Sequence, residues 1–182
     1  MPTFISMLRG VNLVSHNRMK MEALRTSLGA LGFEQVQTYI QSGNAVFRSK
    51  ESSAAKLCEK IEKQILSDFG FTVPVILLTA MEMGVVIKNN PFLTQAGIDS
   101  SRLHITFLSQ APAPSAVQTL AKLPAGADQF HHSRKAVYLY CPGGYGETKL
   151  SNNAFEKLLS VRATTRNWKT VNNLYQMATE LE

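Results

Sequence analysis

Apolar positions along this chain alternate between short runs and helical faces. Residues 3–8 are mostly apolar and predict a buried strand. Across 20–31, Met21, Leu24, Leu28 and Leu31 fall at i, i+3, i+7 and i+10, one face of a helix. Gly32 follows where a C-terminal cap belongs. Residues 34–41 and 45–49 predict two strands joined by a turn at Ser42-Gly43-Asn44. Leu57, Ile61, Ile65 and Phe69, each four apart, predict a long helix closed by Gly70. Residues 72–78, rich in β-branched side chains, predict the next strand. The order strand, helix, strand, strand, helix, strand is that of a ferredoxin-like βαββαβ unit.

The pattern then repeats. Residues 103–108 predict a strand, and 115–123 a helix introduced by Pro114. Residues 129–132 and 136–140 predict strands around Ser133-Arg134-Lys135, 151–159 a helix, and 161–165 a short strand. A last helix over 167–181 carries Trp168, Val171, Leu174 or Tyr175, and Ala178 on one face, which reads Trp168 as a core anchor. The predicted fold is α+β: two ferredoxin-like βαββαβ halves in tandem with an added C-terminal helix. Residues 1–79 form the first half, 80–100 a connecting helix and loop, and 101–182 the second half with the terminal helix. The halves share no obvious identity, so the repeat rests on element order.

This topology, with strand order 4-1-3-2, gathers residues that are distant in sequence. The end of the first strand and the turn between the second and third lie at one sheet edge. Arg9, Gly10 and Asn12 therefore meet Ser42, Gly43 and Asn44, with Tyr39 and Gln41 beside them and Lys20 at the first helix N-terminus. An arginine can fork onto a phosphate or carboxylate, and free N–H groups at a helix start favour anions. Asn12, Gln41 and Asn44 can read a hydrogen-bond pattern. Structural roles stand beside these: Gly43-Asn44 suits a tight hairpin, and Asn12 suits a loop cap. In the second half, the glycine-rich segment 141–146, followed by Lys149, and the Arg166-Asn167 pair should lie together at one edge. Thr165 or Asn167 can N-cap the last helix.

Composition narrows the function classes. The 182 residues are 45% hydrophobic and 18% charged, a globular balance. No run approaches the roughly 18 apolar residues of a membrane span. The N-terminal residues lack a secretory leader pattern, so a cytoplasmic location is expected. Cys58 and Cys141 are expected to be free thiols. The net charge is +6, with ten basic and seven acidic residues in 1–90 and nine and six in 91–182. That even excess favours anionic partners without marking a basic block. His131 and His132 face opposite sides of a strand, and no carboxylate or cysteine stands at ligand spacing from His16 or His104, so no metal site is expected. No catalytic residue or cofactor is identifiable. The sequence favours binding of a phosphate-bearing or other small anionic ligand, a nucleotide or nucleic acid. A small-molecule enzyme using Ser42 or Tyr39 and a structural or interaction module are the alternatives.

Several segments together carry a family resemblance. They are Arg9-Gly10-Val11-Asn12, Lys20-Met21, Leu24-Arg25, Leu31-Gly32-Phe33 and the run 38–47 beginning Thr38-Tyr39-Ile40-Gln41. Further on come Gly144-Tyr145-Gly146, Lys149-Leu150, Ala163-Thr164-Thr165-Arg166-Asn167-Trp168 and Thr170-Val171. In that order they resemble domain-of-unknown-function family 1697, a group of uncharacterised, mainly bacterial proteins. The resemblance implies an α+β fold with ferredoxin-like halves, and no activity. The chain departs from the family pattern at Val14-Ser15, where a glycine pair is usual, and at Glu147, where a basic residue is common. Both changes make the neighbouring loops stiffer or less basic.

Overall fold

The computed structural model describes residues 1–182. It divides into two compact units, one of Met1–Val85 with Asn173–Glu182 and one of Val86–Asn172. The first unit holds β1 (Thr3–Leu8), α1 (Met21–Ala30), β2 (Glu34–Tyr39), β3 (Asn44–Arg48), α2 (Ala54–Phe69), β4 (Val75–Thr79) and most of α3 (Ala80–Lys88). The second holds β5 (Leu103–Leu108), α4 (Pro114–Leu120), β6 (Gln129–Ser133), β7 (Ala136–Tyr140), α5 (Asn152–Leu159) and β8 (Ala163–Asn167). Each unit contains one antiparallel four-stranded sheet, ordered β2-β3-β1-β4 and β6-β7-β5-β8. The α+β class and the strand order match the expectation from element order.

Caps follow the local sequence. Ser53 accepts from the Lys56 N–H at the start of α2, and Gly70 ends that helix in the left-handed region at φ +77°. Ser151 caps α5 through the Ala154 N–H. Stripes from two helices and one sheet face then form each core. Leu24, Leu28, Leu57, Ile61 and Ile65 pack on Phe4, Leu8 and Phe47 in the first unit, where Phe33 stacks on Phe47 at 4.3 Å. Phe155, Leu159 and Leu120 pack on Leu108, Val137 and Leu139 in the second. All six residues of β1 are buried, which is why that strand reads as mostly apolar, with only Thr3 and Ser6 polar.

Several boundaries differ from the sequence reading, and two of them are instructive. β4 starts at Val75 and not at residue 72, because Pro74 has no N–H to donate to a ladder. β8 continues to Asn167, two residues past the predicted end, in register with His104. The final helix, α6, therefore runs over Trp168–Glu180. Its buried face is Val171, Leu174 and Ala178, and Trp168 at its start is partly buried.

The terminal helix was expected wholly with the second half. Its last part, from Asn173 on, groups instead with the first unit. Asn173 Nδ2 donates to Tyr39 Oη at 2.6 Å. Gly84 of α3 lies so close to the Tyr175 ring that a Cβ there would sit 3.0 Å from it.

The units also differ in how a helix covers the edge strand. α1 packs along β2. The shorter α4 packs mainly on α5.

Candidate functional site

At the first unit's strand end the expected juxtaposition is present. Leu8 N donates to Gly43 O at 2.9 Å, and Asn12 Nδ2 donates to Gln41 O at 2.6 Å. Asn12 sits at φ +55°, a conformation asparagine tolerates better than most side chains. Its amide also donates to Met19 O at 2.8 Å, and its Oδ1 accepts from Met19 N at 2.7 Å. Asn17 Nδ2 fastens to Gly10 O. Gly43 is required on two counts: its φ is +75°, and a Cβ would lie 2.5 Å from Val11 Cγ2. Asn44 is fully buried and donates to Tyr39 O and Ser42 Oγ. Tyr39 Oη accepts from Asn173. Asn12, Tyr39, Gly43 and Asn44 thus have defined jobs inside the fold. Arg9 is half-buried, Gln41 and Lys20 are exposed, and Lys20 takes the N-cap position of α1 without a side-chain cap bond.

The second unit gathers its cations at the start of β5. Tyr140, the end of β7, pairs with Leu103, and Asn167, the end of β8, pairs with His104. The segment after β7 therefore returns to the residues that open β5. Gly144, at φ +96° and ψ 151°, adopts backbone that other residues avoid. A Cβ on it would lie 3.1 Å from Arg102 Nη1, so the glycine admits the guanidinium. Tyr145 stacks on His104 with centroids 4.8 Å apart. Arg166, only 8% exposed, donates from Nη1 to Thr164 Oγ1 at 2.8 Å and to Thr165 O at 2.9 Å. Burial pulls its pKa down to about 10, against a smaller upward pull from Tyr145. Burial likewise lowers His104, partly offset by its bond to Arg102 O. Behind the arginine, Thr106, Thr165 and Asn152 form a hydroxyl–amide chain at 2.7 and 2.6 Å.

Asn167 is exposed and its Oδ1 accepts from Thr170 N, so it caps α6. Lys149 is exposed beside buried Leu150. Sequence reasoning had not named Arg102, and had weighed His104 only as a metal ligand. The signal was available in principle, since both open a strand whose partners end at the glycine-rich segment and at Arg166.

Nucleophile chemistry has little geometric support. The Cys141 thiol is buried, and desolvation pushes its pKa up, helped by Asp128 and opposed by a Thr148 hydrogen bond. Ser42 Oγ accepts from Asn44, and the Tyr39 hydroxyl is held by Asn173. No group of three or more His, Cys, Asp and Glu side chains is placed to hold a metal ion. No helix is long and apolar enough to cross a membrane.

Comparison with known proteins gives a family without an activity. Residues 1–138 match the family model described as "Protein of unknown function (DUF1697)". A solved structure of a conserved bacterial protein from Streptococcus pneumoniae is similar at 25% identity and TM-score 0.75, covering 97% of this chain and 98% of that one. No curated protein matches the sequence.

Proposed function

The chain belongs to DUF1697, a family of unknown function, and we propose from its own geometry that it is a non-catalytic binder of a phosphate-bearing or similarly anionic ligand. The binding residues of this reading are Arg102, His104, Tyr145 and Arg166 of the second unit. One observation carries it: the Arg102 guanidinium sits against Gly144, next in sequence to Tyr145, which stacks on His104 and interacts electrostatically with Arg166. Guanidinium forks suit phosphate oxygens, and the missing Cβ at Gly144 leaves room for the guanidinium while its own N–H is spent on Cys141 O. Arg166 sits 92% buried in its threonine bonds and supplies field, while exposed Arg102 supplies the direct contact. Arg9 and Lys20 of the first unit add positive charge at their own strand end.

Calorimetric titration with ATP, ADP, inorganic phosphate and a short oligothymidylate tests this reading. Binding of at least one is expected, and Arg102→Ala should weaken it about tenfold, the loss of one charge-assisted hydrogen bond of about 1.5 kcal/mol. Steep salt dependence confined to the oligonucleotide would assign nucleic acid. If none of the four binds at millimolar concentration, the anion reading fails.

A further inference from the structure

We propose that Glu62 and Glu82 guard the free edge of β4, and that without them this strand pairs with its counterpart in a second copy of the chain. β4 ends its sheet, hydrogen-bonded only to β1. Leu8 N donates to Gly43 O on the β3 side, and Arg9 N to Pro74 O on the β4 side. The odd residues of β1 therefore bond to β4, and the register Ile5↔Leu78 and Met7↔Ile76 gives them its even residues as partners. Val75, Leu77 and Thr79 are left with N–H and C=O turned outward, the arrangement that invites a further strand. Two of those three N–H groups meet a carboxylate. Val75 N donates to Glu62 Oε1 at 3.0 Å, and Thr79 N to Glu82 Oε2 at 2.8 Å. A second strand would bring carbonyl oxygens to the same two places and meet acceptors there.

Glu82 also has a local task. With Thr79 it forms the capping box that starts α3, Thr79 Oγ1 accepting from Glu82 N at 3.2 Å. Glu62 has no such task at the strand, which it reaches from α2, 13 residues away. The second unit repeats the contact. Ala163 pairs with Leu108 as Val75 pairs with Leu8, and its N–H donates to Glu156 Oε1 of α5 at 2.9 Å. Water can serve an edge N–H, so the fold alone does not require a glutamate there. β4 has the greater need of one. β8 is Ala-Thr-Thr-Arg-Asn, whereas β4 is Val-Ile-Leu-Leu-Thr, with no charge of its own to repel a neighbour. Leu66, one turn beyond Glu62 on α2, is 49% exposed, and Met81, just past the strand, is 79% exposed. A second copy is the matching occupant. Two β4 strands laid antiparallel about Leu77 set Val75 against Thr79 and Leu77 against itself, with outward backbone groups at every pair and no like charges opposed.

Hydrogen exchange of the full-length ¹⁵N-labelled chain, read by nuclear magnetic resonance at rising protein concentration, tests the assignment. In Glu62→Ala/Glu82→Ala the Leu77 amide should exchange at least tenfold more slowly at millimolar than at micromolar concentration, and sedimentation velocity should show dimers forming over the same range. The wild-type chain should show no such dependence at Leu77. Glu62→Ala alone leaves the capping box of α3 intact and should show the same trend more weakly, so it carries the test if the double variant folds poorly. Exchange at Leu77 that is independent of concentration in the folded variants would overturn the proposal. So would the same dependence in the wild-type chain, or variant dimers that leave Leu77 exchange unchanged.

Discussion

In the first unit Leu8 N donates to Gly43 O at 2.9 Å and Arg9 N to Pro74 O at 3.0 Å; in the second, Leu108 N donates to Lys135 O at 2.8 Å and Ser109 N to Arg162 O at 2.9 Å. These pairs are topologically equivalent, the end of a central strand tied to the hairpin on one side and to the edge strand's approach on the other. The sequences around them share little. The first unit fills the place with a long loop whose asparagines are spent on holding it. The second closes it briefly and collects its cations at the opposite end of the central strand. The lesson is that hydrogen bonds demanded by topology recur in both units, and polar residues meeting that demand are weak candidates for ligand contact. Chemistry is better sought where the two units differ.

The sharpest way to break this comparison is through Arg166. Removing a buried guanidinium leaves its cavity and the threonine acceptors unserved, so Arg166→Ala should cost about 3 kcal/mol in urea unfolding without any ligand. Arg102→Ala, at an exposed site, should leave the midpoint within the ordinary surface range of about 0.5 kcal/mol. Equal melting of the two variants would show that the buried and exposed arginines do not divide the work.

At the first strand end, Gly43→Ala forces a Cβ against Val11 in a left-handed backbone, and about 2–3 kcal/mol of destabilisation is expected. Asn12→Ala removes three hydrogen bonds at a partly solvated site, and about 2 kcal/mol should be lost. Neither variant should alter phosphate binding by the second unit beyond what unfolding explains. A stable Asn12→Ala chain that lost anion affinity would reverse the roles assigned to the two strand ends.

The smallest effect concerns pH. His104 is depressed in the folded state from its ordinary 6.5. Between the folded and unfolded pKa values the unfolded chain binds more protons, so unfolding free energy rises with pH there. Stability should therefore fall as pH drops through about 6.5, and His104→Gln should flatten that part of the profile in denaturant titrations. An unchanged slope would mean His104 is solvated as freely as in the unfolded chain.

Much of the fold was legible because burial writes itself into spacing. Leu24 with Leu28 and the four-residue series from Leu57 to Phe69 announce their helices, and the pairing of residue 12 with residue 41 follows from strand order. Charge placement was harder to read. Arg102 and His104 stand in no motif, and only the register of β5 with β7 and β8 brings them to Tyr145 and Arg166. Asn12 and Asn44 looked like ligand contacts because an asparagine that binds and one that braces have the same letter. Their partners are backbone groups and, for Asn44, also the Ser42 hydroxyl, pairings that a sequence does not display.

The division of α6 between the units has a consequence for synthesis. A chain leaving the ribosome completes β1 through β4 early, and domains ordinarily fold in that order. Here the hydroxyl of Tyr39 must wait 134 residues for Asn173. The first unit to emerge is therefore the last to be finished. Until then Tyr39 lacks its amide partner and Gly84 lacks the Tyr175 ring that closes over it.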